Sequence, residues 1–123
     1  MHDPVSRPWG SYRSLLLAES YQVKEILVNP GQRLSLQSHR QRSEHWVVTA
    51  GPCLVTLGDE DLRLETGMHV YIPRNSRHRL GNPGKAIVKI IEVQIGDYLD
   101  EDDIVRYEDD YQRVPPVTTP ENL

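Results

Sequence analysis

The chain has 123 residues, 18 acidic against 14 basic side chains, a formal net charge of −4, one cysteine and no phenylalanine. That length accommodates one core without disulfide staples, and the acidic balance argues against a nucleic-acid backbone as partner. The lone Cys53 excludes an intramolecular disulfide, and no apolar run approaches the roughly 20 residues that span a bilayer.

In chain order the sequence offers short β-rich runs punctuated by Gly, Pro and Asn, with no long helical repeat of apolar residues. The predicted strands are 11–17, 21–28, 33–38, 44–49, 53–57, 61–65, 69–72, 77–80 and 86–95. Turn signals separate them at Asn29-Pro30-Gly31, Gly51-Pro52, Gly58-Asp59, Thr66-Gly67, Pro73-Arg74-Asn75 and Asn82-Pro83-Gly84. Eight or nine short strands at this spacing predict a sandwich or jelly roll. In the last run, Ile91, Val93 and Ile95 alternate with Glu92 and Gln94, whereas 87–90 is apolar on both faces except at Lys89. Residues 101–112 are charge-rich and read as one or two helical turns, and 114–123 as a disordered tail, leaving 1–113 as the folded unit. With no apolar signal segment, the expected setting is reducing and cytoplasmic, with no membrane partner.

Arginines gather at 33–42 and 74–79 (Arg33, Arg40, Arg42, Arg74, Arg77, Arg79). If these segments meet, an acidic chain carries one basic pocket suited to a phosphate.

Two constellations carry the chemistry. In the first, Gly31 is followed by Gln37, His39, Glu44 and Gly51. Gln37 and His39 lie two apart on a strand and share a face, and Glu44 opens the next strand, able to face back toward them. In the second, Gly67 is followed by Pro73, Asn75, His78 and Asn82. Two imidazoles, a carboxylate and an amide oxygen make a mixed N/O set for one divalent ion, with coordination positions left open. His2, His45 and His69 lack such spacing and read as surface or packing residues, and Trp9 and Trp46 read as core.

These two blocks resemble the paired motifs of the cupins, with Gln37 where many cupins carry a histidine. Arg7-Pro8-Trp9-Gly10-Ser11-Tyr12, Leu34-Ser35-Leu36-Gln37, Glu44-His45-Trp46 and His78 to Lys85 further resemble the type II mannose-6-phosphate isomerase domain. So do Ile91-Glu92-Val93-Gln94 and Asp102 to Arg106. That domain forms the C-terminal part of bifunctional mannose-1-phosphate guanylyltransferase / mannose-6-phosphate isomerase enzymes, and here it looks like the isomerase module alone. The resemblance implies an all-β double-stranded β-helix (cupin jelly-roll barrel) that interconverts mannose 6-phosphate and fructose 6-phosphate in polysaccharide biosynthesis.

It further implies a divalent metal, zinc first and Mn, Co, Ni or Fe as alternatives, on Gln37, His39, Glu44 and His78. Ser35 and Arg42 fall where related isomerases bind the substrate phosphate. Arg106 is the candidate for stabilising the reacting oxygens, and Glu92 or His45 for handling the carbon-bound proton. Cupins often pair through their sheets, so a homodimer is expected. The family commonly reads Gln-Met-His-His-His-Arg where this chain reads Gln37-Ser38-His39-Arg40-Gln41-Arg42. Two rival readings accompany the isomerase: a metal-holding module that binds a sugar phosphate or nucleotide sugar without turnover, and another cupin metalloenzyme such as an oxygenase.

Overall fold

The computed structural model describes residues 3–111, so the expected tail at 114–123 lies outside the described residues. The elements are β1 (Val5–Arg7), β2 (Gly10–Leu17), β3 (Tyr21–Val28), β4 (Leu36–Ser38), β5 (Arg42–Ala50) and β6 (Cys53–Leu57). They continue as β7 (Glu60–Leu64), β8 (His69–Ile72), β9 (His78–Gly81), β10 (Val88–Gly96) and β11 (Val105–Glu108). No helix among the described residues is long and apolar enough to cross a membrane.

The strands form two antiparallel sheets, ordered β1-β2-β3-β10-β5-β8 and β11-β4-β9-β6-β7. One apolar cluster joins them: Ile26, Trp46, Val48, Ile72, Val88 and Ile90 from the first sheet meet Cys53, Val55, Leu64 and Leu80 from the second. The fold is the predicted all-β jelly roll.

Three adjacent strands divide the barrel interior along its length. On β10 the inward residues run Val88, Ile90, then Glu92, Gln94; on β3 they run Val28, Ile26, then Lys24, Gln22. On β5 they run Val48, Trp46, then Glu44, Arg42. The register pairs Ile90 with Ile26 and Val48, Glu92 with Lys24 and Trp46, and Gln94 with Gln22 and Glu44. β10 and β3 therefore pass from apolar to polar at the same height, and β5 one pair further on, at Glu44. One end of the barrel is hydrophobic core and the other is a polar chamber.

Several boundaries depart from the sequence reading. Of the predicted 101–112 stretch, the described residues 101–111 hold no helical turn: after a turn at 101–102 the chain forms β11, paired with β4 through Arg106 and Gln37. The β-favouring Val105-Arg106-Tyr107 run gains backbone partners there. Arg79 hydrogen-bonds the Glu108 side chain and carbonyl, and Arg77 lies 4.2 Å from the Tyr107 ring centroid. The predicted strand at 33–38 shortens to β4, with Arg33 making only an isolated bridge to Gly81. The start of β10 is covered on one face only, with Val88 and Ile90 buried and Lys89 exposed, and Ile87, just before the strand, is 46% exposed. Gly96 closes β10 against the 39–42 bend, where a Cβ would stand 2.2 Å from the Gln41 carbonyl oxygen. Only glycine permits that approach.

Candidate metal centre

Three strands deliver the first predicted ligands. His39 follows β4, Glu44 lies on β5 and His78 opens β9. All three are buried, and one ligand atom from each lies within 4.8 Å of the others. Glu44 Oε2 stands 3.2 Å from His39 Nε2, and Glu44 Oε1 stands 3.8 Å from His78 Nε2.

The imidazole orientations are fixed from behind. His39 Nδ1 sits 2.6 Å from the Asp103 carbonyl oxygen, and His78 Nδ1 sits 3.0 Å from that of Ser76. A carbonyl only accepts, so each Nδ1 carries the proton and donates. The Asn75 N–H donates to the His39 carbonyl at 2.7 Å, from a left-handed backbone (φ 66°) that asparagine tolerates. Such backing orients a ligand imidazole and fixes its tautomer.

The inward atoms then pose an electrostatic problem. Burial pushes the His78 pKa down, with His39 and Arg42 adding to it, so its Nε2 is a bare lone pair. Burial alone would lift Glu44, yet its contacts with His39, Glu92 and His78 hold it well below the usual carboxylate range. An ionised carboxylate facing imidazole nitrogens calls for a cation, and the Arg42 guanidinium meets it by bridging Glu44 and His39. Two imidazoles and a carboxylate this closely spaced make a donor set that could hold a metal ion. Gln37 flanks the cluster, in register with His78, and donates its amide to Ser35 Oγ at 3.0 Å.

A cavity of about 70 Å³ opens beside the cluster, lined by Ser35, Gln37, Arg42, Glu44, His78, Glu92 and Arg106 among others. Of the residues assigned a site role, all but His39 and His45 border this chamber. Arg42 is buried; its Nε donates to Glu44 Oε2 at 2.9 Å and its Nη2 lies 3.3 Å from His39 Nε2. Burial opposes its charge, but Glu44, Glu92 and Glu101 more than offset that and raise its pKa. Glu92 shares the Trp46 indole N–H with Glu44, at 3.1 and 3.0 Å, and accepts from Gln94 at 2.9 Å. Burial and the negative Glu44 push the Glu92 pKa well above the ordinary carboxylate value.

The expected basic pocket forms only in part. Arg42 and Arg79 reach the chamber, while Arg33, Arg40, Arg74 and Arg77 are exposed. Its other cations are Arg7, Lys24 and Arg106, from strands distant in sequence. His45 is not a chamber residue: it lies on the outer face of β5, 3.2 Å from His69. Trp46, read as core, is core and also clamps two carboxylates. Sequence reasoning missed Lys24 and Gln94, whose signal was a polar pair continuing, at two-residue spacing, the inward-facing aliphatics of the same strand.

Comparison with known proteins finds a matching family. The family described as "Mannose-6-phosphate isomerase C-terminal" matches residues 1–109. A xanthan biosynthesis protein, XanB, of Xanthomonas campestris pv. campestris is 54% identical over 112 residues, covering 91% of this chain and 24% of that protein. The mannose-1-phosphate guanylyltransferase ManC of Salmonella typhimurium is 52% identical over 114 residues, covering 93% of this chain and 24% of its own length. This chain spans about a quarter of the length of these curated relatives. Among solved structures, the Schizosaccharomyces pombe Cnp3 cupin domain superposes with a TM-score of 0.68 at 18% identity, over 71% of this chain and 64% of that one.

Proposed function

We propose that this chain, which belongs to the mannose-6-phosphate isomerase C-terminal family, interconverts mannose 6-phosphate and fructose 6-phosphate beside the His39–Glu44–His78 cluster. The observation that carries the reading is one buried chamber holding a metal-competent donor set, a proton-holding carboxyl and several cations. His39, Glu44 and His78 hold the ion in this reading, with the Gln37 carboxamide oxygen as fourth donor. Zinc suits the set, and Mn, Co, Ni or Fe are compatible with it. When bound, the ion polarises the sugar's C1 and C2 oxygens as a Lewis acid.

The chain's own residues supply the rest. The reaction moves one carbon-bound proton between C2 and C1 and one hydroxyl proton between the two oxygens. Glu92 is the proton-handling group, because burial and the neighbouring Glu44 raise its pKa and let it hold a proton above the ordinary carboxylate range. Arg106 faces the developing enediolate, and Ser35 and Arg42 hold the phosphate. The family histidines absent here correspond to Arg40 and Gln41, which are exposed and so remove nothing from the chamber. The relatives named for xanthan biosynthesis and for mannose-1-phosphate guanylyl transfer suggest a role in supplying activated mannose for polysaccharides.

A homodimer belongs to the same reading. On the outer face of the six-stranded sheet, Tyr21 pairs with Ile95, Val23 with Val93, Val93 with His45, and Val47 with Ile91. Tyr71 continues the patch from β8. An apolar outer sheet face of this kind suits a second copy.

One observation favours the non-catalytic reading: the Arg42 guanidinium spans His39 and Glu44, as a metal would. A coupled assay for fructose 6-phosphate, on chelated protein with metal restored, decides between them. Metal-dependent turnover lost in His39→Ala and Glu44→Ala, with circular dichroism unchanged, is expected. Sugar-phosphate binding without turnover would establish the module instead, and bound iron with oxygen consumption would establish the oxygenase.

A further inference from the structure

Lys24 is the least explained charge in the chamber. It lies inside β3, its side chain 6% exposed, and no chemistry assigned above uses it. A buried ammonium is costly unless paired. Its partner is the Glu101 carboxylate, which is 51% exposed and comes from the loop between β10 and β11. The same carboxylate oxygen stands 3.8 Å from Arg42 Nη1, a buried atom without a hydrogen-bond partner among the described residues. Two buried, strand-mounted cations thus converge on one loop-mounted, half-exposed anion.

The cavity size makes this arrangement consequential. About 70 Å³ is far below the roughly 300 Å³ at which small-molecule pockets begin. Glu101 and Ile104 form part of the wall, so a hexose phosphate enters only if their loop moves. The loop is tethered next door: the Asp103 carboxylate accepts the N–H groups of Arg40 and Gln41 at 2.9 Å each, and the Asp103 carbonyl holds His39. Glu101 can therefore swing out while Asp103 keeps the His39 imidazole in place.

We propose that Lys24 and Arg42 form an anion seat, that Glu101 is its resident occupant, and that the phosphate of a phosphomonoester displaces Glu101 and opens the loop. A phosphate carries up to two negative charges and three acceptor oxygens, enough to satisfy Lys24 and the unused Arg42 N–H together. Glu101 then acts as a latch, closing the chamber to neutral sugars. The inference deepens the isomerase reading by naming how the substrate's phosphate gains entry, and it rests on that reading only for the ligand's identity.

Calorimetric titration of the full chain with inorganic phosphate, after chelation so that no metal competes, tests it. Glu101→Gln vacates the seat and is expected to tighten phosphate binding about tenfold; Lys24→Met is expected to weaken it at least tenfold. Asp102→Asn removes a neighbouring loop carboxylate that bonds Tyr98 rather than the seat, and is expected to change nothing. Equal affinity in Glu101→Gln and wild type overturns the proposal, as does an equal gain in Asp102→Asn, which would mark a general charge effect. If Lys24→Met fails to fold, the comparison of Glu101→Gln with Asp102→Asn still decides. Turnover in the coupled assay with no gain in Glu101→Gln sinks the latch alone, whereas the gain without turnover sinks the isomerase reading alone.

Discussion

At the scale of single residues, Glu92 shows how the chamber holds a proton. Its carboxyl is buried beside the ionised Glu44, with the Trp46 indole and Gln94 amide bonded to its oxygens. Because its pKa is raised in the folded state, the native protein binds this proton more tightly than the unfolded chain does. Glu92 therefore contributes fully below its ordinary value near 4.5, and that contribution is lost as pH rises through the folded value. Glu92→Gln keeps the shape without the titration. In metal-free protein it is expected to be more stable than wild type by roughly 1–2 kcal/mol at pH 8, the gap closing as pH falls toward 5. Urea melts across that range measure it, and a variant less stable at pH 8 contradicts the assignment. The same variant is expected to lose turnover. The ligand positions were legible because His39, Glu44 and His78 belong to two spaced motifs. Lys24 and Glu101 were not, because their meaning lies in a contact 77 residues apart.

At the scale of elements, the hydrophobic alternation of β10 located the strand but not its inward face. Glu92 and Gln94 point in while Ile95 is 48% exposed, the reverse of the usual arrangement. Two causes act together: the polar chamber claims the polar side, and the aliphatic side is left on the outer face with Tyr21, Val47 and Tyr71. If a second copy covers that face, the chain sediments as a dimer at micromolar concentration, and Tyr71→Glu with Val47→Lys yields a monomer of unchanged fold. A monomeric wild type removes the dimer from the account and leaves the chamber untouched. β11 escaped the sequence reading because its strand-forming run lies within an acidic stretch. Its place is set by β4, by Arg79 and by Arg77, none of them local.

At the scale of the whole molecule, the barrel separates two tasks along its length. The apolar end supplies the burial that stabilises the fold, at about 25 cal/mol per Å² of apolar surface. The polar end gathers groups that destabilise it, namely facing carboxylates, bare imidazole nitrogens and enclosed cations. Sites that hold such unfavourable groupings are where function is found. The jelly roll was legible from strand spacing and turn residues, since those patterns are local. The division of its interior was not, because it arises only when β3, β10 and β5 come into register.

The account stands on one buried cation site shared by His39, Glu44 and His78. Isothermal titration of chelator-treated protein with zinc tests it most directly. One equivalent is expected to bind to wild type, with affinity reduced at least a hundredfold in Glu44→Gln. No saturable binding, or binding unchanged by Glu44→Gln, would contradict it.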